Sequence, residues 1–396
     1  MRTHTVLVTD GEQRSALAAV RSLGRAGHRV IVCAMRARSL AAASRYAATH
    51  EVVSDPLRDP HGFARDVGEA ARTHGADTVF AMTEPALLSL LAEPDALHGA
   101  RLPVPPLPVF RRISDKAELL AVAPEVGIAV PAQRVVATPA DAAALLTSPP
   151  PLPVVLKPAR SVGEHEGRRA KVDVRHAATP EQLERALLGL GEEAYPLLVQ
   201  QRVVGPGIGI FLLVWNGETL ATFSHRRIRE KPPSGGVSVY RESITADPSL
   251  VARSRALLDR FGWSGVAMIE YKVEEATGTP YLMEVNGRFW GSLQLAVDAG
   301  VDFPALLLAA AWGEEASPVT SYRTGVRSRW WWGDVDHLLA RLRRSRTALA
   351  LPPGAAGRWS ALRDFCTTRA ADRNEIMRFD DPRPFLRETA HWLLRR

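Results

Sequence analysis

Short aliphatic runs alternate with amphipathic stretches over the first hundred residues. Val6-Leu-Val8 reads as a buried strand, and Gln13 to Gly27 sets Ala16, Ala19, Val20 and Leu23 at helical spacing, with Gly27 as its cap. Arg29-Val-Ile-Val-Cys33 returns to strand, and Thr78-Val-Phe-Ala-Met82 is a later one. This predicts a βαβ rhythm with a parallel sheet. The turn after the first strand, Thr9 to Arg14, lacks the Gly-x-Gly-x-x-Gly of a dinucleotide site. Glu84, just past Met82, stands where open α/β sheets bind ligands, although a helix-start acid is the plainer reading. Proline-rich Leu102 to Pro108 marks a domain boundary.

The next patterns are strand-like, with polar residues at their ends. Ser114 reads as an N-cap, which puts Lys116 in the first helical turn, where a cation is unfavourable unless an anion is near. The apolar strand Val154-Val-Leu-Lys157 closes on a lysine, whose ammonium is expected to point at a partner. Ala159 to Arg169, with Gly163 and Gly167 among charged residues, reads as a mobile loop able to fold over phosphates through backbone N–H groups. Leu197 to Val204 is a strand, followed by Gly205-Pro-Gly-Ile-Gly209, which reads as a hinge between subdomains. Ile210 to Trp215 resumes and turns at Asn216-Gly217, a hairpin signal. Arg226 and Arg227 follow, forks that match carboxylate or phosphate oxygens, ahead of a Gly235-Gly236 turn.

Two further strands, Val266 to Val273 and Tyr281 to Phe289, flank a turn signal at Thr277-Gly278. Alternation puts Glu284, Asn286 and Arg288 on one face and Met283, Val285 and Phe289 on the other. If the hairpin folds symmetrically about Thr277, Glu270 lies opposite Glu284. Two such carboxylates repel by roughly 4 kcal/mol at ~4 Å and an effective dielectric of ~20. A divalent cation between them reverses the sign, and two carboxylates with an amide suit hard Mg²⁺.

Composition narrows the field. A chain of 396 residues, 46% hydrophobic and 23% charged, is long enough for two or three globular domains. Two distant cysteines offer no disulfide framework, the longest apolar run (Phe303 to Trp312) is too short for a membrane, and no secretory leader pattern opens the chain. A cytoplasmic protein without membrane partners is expected. The net charge of +7 does not indicate nucleic acid, because the excess is spread out and lacks a nucleic-acid motif. Only five of the basic residues are lysines, so a retained lysine suggests a place that needs a compact point charge.

The order Lys116, Lys157, Gln200-Gln201, Arg226-Arg227, Glu270, Glu284-x-Asn286-x-Arg288 resembles the ATP-grasp superfamily over about residues 1 to 320, and Met283 to Phe303 resembles its carboxylate–amine ligase branch. The resemblance implies an α/β, Rossmann-like pre-ATP-grasp domain (1–110), then an α+β ATP-grasp fold with a phosphate-loop part (111–204) and a metal-site part (205–320), and a C-terminal extension (321–396). It implies ATP between two subdomains, with Lys116 and Lys157 on its phosphates, Gly163 in the loop above them, and Gln200, Gln201 and Val203 along the adenine. One or two Mg²⁺ ions, with Mn²⁺ as an alternative, would lie on Glu270, Glu284 and Asn286. Arg288 would hold the transferring phosphoryl group, and Arg226 or Arg227 the substrate carboxylate. The chain departs from the family at Gln201 and at Pro206-Gly207, where members carry acids.

The implied reaction joins a small-molecule carboxylate to an amine through an acyl phosphate, releasing ADP and phosphate; a homodimer is compatible with it. Another phosphoryl-transfer enzyme on the same scaffold, a kinase or carboxylase type, and a non-catalytic nucleotide-binding module are the alternatives. Beyond residue 321, the Trp330-Trp331-Trp332 run predicts a strand and then an amphipathic helix, packed as a cap.

Overall fold

Val6, Leu7 and Val8 have no exposed surface, and their strand occupies an inner position of the first sheet. In this computed structural model, which describes residues 2–394 apart from 166, 167, 353, 368 and 370, three sheets and a hairpin carry the site. Gly167 of the expected phosphate loop lies outside the described residues.

Strands β1 (Thr5–Val8), β2 (Arg29–Ala34), β3 (Thr49–Val52) and β4 (Thr78–Phe80) form a parallel sheet in the order β3-β2-β1-β4. Helix α1 (Arg14–Arg25) covers one face through Ala16, Leu17 and Val20, while α2 (Pro60–His74) covers the other through Phe63 and Val67. Gly27, in the left-handed region at φ 88°, follows the end of α1. Glu84 opens α3 (Glu84–Ala92).

The proline-rich connector holds more structure than expected. Helix α4 (Leu107–Ser114) begins within it, since proline is tolerated in a first turn, and α5 (Lys116–Val122) follows at once. Ser114 therefore ends a helix rather than capping one. The cap of α5 is Asp115, whose carboxylate accepts from the Ala117 and Glu118 N–H groups.

A second sheet is antiparallel, in the order β5-β10-β6-β9, from β5 (Gln133–Val136), β6 (Val154–Pro158), β9 (Arg175–Ala177) and β10 (Leu197–Gln201). Its core of Val136, Leu156, Leu183 and Val199 is its own. Between β6 and β9, the segment expected as a loop is a hairpin of β7 (Val162–His165) and β8 (Arg168–Lys171), from which Arg169 reaches the Ser89 hydroxyl on α3 at 3.0 Å.

The third sheet has seven strands: β11 (Gly207–Trp215), β12 (Glu218–Lys231), β13 (Val237–Ser243), β14 (Gly265–Val273), β15 (Pro280–Asn286), β16 (Arg327–Arg329) and β17 (Asp372–Asn374). Their order is β15-β14-β11-β12-β13-β16-β17. Asn216 and Gly217 both have positive φ, the type I′ geometry expected between β11 and β12. The last two strands come from the segment beyond residue 320, so that segment extends the sheet as well as packing on it. Trp331 and Trp332 enter a helix (Trp331–Arg343), and Trp332 stacks on Trp392 at 4.1 Å.

The large sheet and the parallel sheet share their cores, with Phe211 and Phe223 packed in one cluster with Val8 and Leu17. One face of the small sheet keeps its own core while Leu198 on β10 joins the core of the large sheet, and a cleft lies between the two sheets. No single helix among the described residues is long and apolar enough to cross a membrane.

Candidate active site

The cleft floor is set by cross-strand register. Side chains paired across neighbouring strands share a face, and one row across the large sheet runs Glu284, Glu270, Gly209, His225, Ser243. Glu270 lies directly opposite Glu284, as the symmetric hairpin predicts. The pairing slips between Glu270 and Tyr271, leaving Met283 as an extra residue in β15. That bulge turns Met283 into the cleft, 3.6 Å from Lys157 Nζ, where simple alternation predicted the opposite face.

Gly207 and Gly209 sit inside β11, so the expected hinge is a strand with two gaps in its surface. A Cβ on Gly209 would stand 2.6 Å from Phe211 Cζ and 3.3 Å from His225 Cδ2, which makes the gap part of the packing. Arg227 lies over Gly207 and spans to Glu270 at 2.5 Å and Glu230 at 2.8 Å. Arg226, one residue away, faces the other side of the strand and pairs with Glu242 at 2.6 Å. Period-two alternation thus removes Arg226 from the cleft and leaves Arg227 in it.

Cations from three directions converge on the acid pair. Lys116, at the start of α5, donates to the Ser161 hydroxyl at 2.9 Å and meets Glu284 at 3.4 Å, so the anion its position requires is Glu284. Lys157 donates to Gln200 Oε1 at 2.9 Å, and Gln200 in turn donates to Gln133. Asn286 donates to Glu284 at 2.9 Å and accepts from Arg288 at 2.9 Å.

These contacts divide the two carboxyls. Burial disfavours charge on both. At Glu284, Lys116, the Asn286 amide, Lys157 and Arg288 outweigh it and bring the group down to about 2. At Glu270, burial with the nearby Glu284 charge outweighs Arg227, and the carboxyl is raised. Lys157 is brought down to about 8, by burial first and against the pull of Glu284 and Glu270. Glu84 also feels Lys116 and Arg288, and burial raises it.

Two carboxylates in register, with an amide oxygen close by and no thiol or imidazole among them, fit a hard divalent cation. Lys116 and Arg227 balance their charge here. The cleft, about 640 Å³, continues past Lys157 to Val155, His176, Gln201 and Val203 on the small-sheet side. No backbone or side-chain acceptor among the described residues takes the Val203 N–H, whereas Gln201 N donates to Ala132 O at 2.8 Å. Gly163 is elsewhere. A Cβ on it would stand 2.1 Å from the Glu193 carbonyl oxygen, so close packing of β7 on residues 192–194 accounts for the glycine.

A parallel front sheet, an antiparallel small sheet and a large sheet bearing paired acids over a cleft form a shared architecture with known proteins. A family described as "ATP-grasp in the biosynthetic pathway with Ter operon" matches residues 193–332. The chain has the ATP-grasp fold. An L-amino acid ligase from Bacillus licheniformis superposes with a TM-score of 0.61 at 18% identity, over 78% of this chain and 75% of that one. A biotin carboxylase from Campylobacter jejuni gives 0.63 at 17%, over 82% and 74%. An N5-carboxyaminoimidazole synthetase from Staphylococcus aureus, complexed with ADP, gives 0.60 at 12%, over 83% and 81%. No curated protein matches by sequence.

Of the residues expected from sequence, the ATP-grasp cleft brings together Lys116, Lys157, Gln200, Gln201, Val203, Arg227, Glu270, Glu284, Asn286 and Arg288. Arg14, His225 and Trp290 line it without having been foreseen. Only Arg14 had a readable signal, since it opens the helix after the first strand, at the sheet end where ligands bind.

Proposed function

We propose that this ATP-grasp chain is an ATP-dependent carboxylate–amine ligase. The observation that carries this reading is the direct Glu270–Glu284 register beneath Lys116, Lys157, Arg227 and Arg288. A carboxylate is a poor electrophile because resonance spreads its charge. One of its oxygens attacks the γ-phosphorus of ATP, forming a C–O–P acyl phosphate and releasing ADP. An amine then adds to the acyl carbon, phosphate leaves with the former carboxylate oxygen, and the nitrogen loses its proton.

Phosphoryl transfer spreads charge over the equatorial oxygens, so positioned cations supply most of the catalysis. Lys116 and Lys157 bear on the phosphates, Arg288 on the transferring group, and Arg227 on the incoming carboxylate. The Val203 N–H and Gln201 border the adenine. A divalent cation on Glu270, Glu284 and the Asn286 oxygen would neutralise phosphate charge when bound. An acyl phosphate hydrolyses readily, so the reaction requires a site that excludes water.

The reading is tested by following ADP and inorganic phosphate with panels of acids and amines. Release that requires both an acid and an amine supports ligation. Phosphorylation of a single substrate without condensation, or bicarbonate-dependent turnover, would replace it with a kinase or carboxylase.

A further inference from the structure

The large-sheet side of the cleft continues beyond the acid pair, into space lined by groups the phosphoryl chemistry does not use. Arg14 reaches it from the start of α1. Its Nη1 meets Glu375 at 2.5 Å, its guanidinium lies 4.1 Å from the Trp330 ring, and its Nη2 is 3.0 Å from where a Cβ on Gly291 would stand. The other oxygen of Glu375 meets Arg241 Nη2 at 2.5 Å. One buried carboxylate is thus shared by two guanidiniums, which leaves a positive charge in excess. The next carboxyl, Glu388, accepts from the Trp330 indole, and burial pushes it up to about 7.

Next to Gly291, Trp290 is 2% exposed, and its indole Nε1–H has no acceptor among the described residues. His225 is 1% exposed, and both its ring nitrogens lack partners there. Both rings rest against Phe211, with centroids 4.4 and 4.7 Å away, and both line the cleft. Native proteins leave few buried donors unmet, because each costs its full desolvation. A guanidinium that shares Glu375 with Arg241, an indole N–H and an imidazole are complementary to an anion, with the Glu388 carboxyl, whose Oε2 has no partner among the described residues, as the remaining acid nearby.

We propose that this end of the cleft is a second anion subsite, where Arg14 with Trp290 and His225 holds a carboxylate other than the one being phosphorylated. The subsite stands on these contacts, while the role of its ligand rests on the ligase reading. The carboxylate belongs either to a dicarboxylic acid activated at its other end, or to an amino acid acting as the amine. Glu375 is a positioning residue, and through it the C-terminal segment shapes the substrate end of the cleft.

The test measures binding by calorimetry, with Mg²⁺ and a non-hydrolysable ATP analogue present. It compares matched probes differing by one carboxylate: butyrate with succinate, pentanoate with glutarate, ethylamine with β-alanine, and pentylamine with norleucine. For at least one pair the probe with the extra carboxylate binds about tenfold tighter or more, and Arg14→Gln abolishes that preference. Preference among the acids identifies a diacid; preference among the amines identifies an amino acid. Trp290→Phe, which keeps an aromatic side chain and removes the N–H donor, weakens the preference and leaves the matched probe unchanged. No preference in any pair, or a preference intact in Arg14→Gln, overturns the subsite. A preference lost in Arg14→Gln without ADP release for any acid and amine sustains the subsite and counts against the ligase.

Discussion

Glu270 and Glu284 occupy one cross-strand position, yet their carboxyls are driven in opposite directions, Glu270 upward and Glu284 down to about 2. The difference lies in the partners. Glu284 gathers two lysines, an amide and an arginine, while Glu270 has Arg227, which it shares with Glu230. A divalent cation would therefore find its charged ligand in Glu284, with Glu270 the weaker of the two.

Glu284→Gln should lower Mg²⁺-dependent turnover by ~100-fold or more, the scale seen when one preorganised electrostatic group is lost. Circular dichroism should report an intact fold. Turnover near that of the parent enzyme would remove Glu284 from the chemistry.

Lys157 sets a pH dependence. Its proton is lost near 8 in the folded protein and near 10.5 in the unfolded chain. Between those values the unfolded state holds more protons, so this group makes the nucleotide-free protein more stable as pH rises through that window. Nucleotide binding runs the other way, since phosphates favour the ammonium form. ATP affinity should fall as pH rises past about 8, and Lys157→Met should bind weakly and flatten the profile.

Arg226 and Arg227 separate two readings of one sequence run. Arg227→Met leaves Glu270 and Glu230 facing each other unpaired, and should cost about 3–5 kcal/mol of stability together with activity. Arg226→Ala breaks a pair in which the arginine is half exposed and should stay within ~1 kcal/mol, with turnover unchanged. Denaturant unfolding and initial rates check both.

Gly163→Ala drives a methyl toward the Glu193 carbonyl and should destabilise the β7–β8 region by about 1–3 kcal/mol. Hydrogen exchange in that hairpin should rise, while ATP affinity changes little. A large loss of ATP affinity in a variant of normal stability would instead assign Gly163 to the phosphates.

The pairing of Glu270 with Glu284 matches the symmetric reading only because the bulge at Met283 shifts the register set nearer the turn, where Tyr271 pairs with Leu282. The turn at Asn216-Gly217 was legible for its local backbone demand. Met283 was not, since one extra residue in β15 reverses its facing and no residue type announces a bulge. The choice between Arg226 and Arg227 needed the phase of β12. Ser114 was misread as a cap because a helix, rather than a connector, precedes Asp115. Arg14 depends on Glu375, 361 residues away, and such a contact leaves no local pattern.

The most direct test of the central claim is a hydroxylamine trap. The protein is incubated with ATP, Mg²⁺, hydroxylamine and pools of carboxylic acids, and hydroxamate and nucleotide products are measured together. Hydroxamate formed in step with ADP is the predicted result, and it names the acid. Hydroxamate formed with AMP and pyrophosphate would mean an adenylate intermediate and would contradict the acyl-phosphate account.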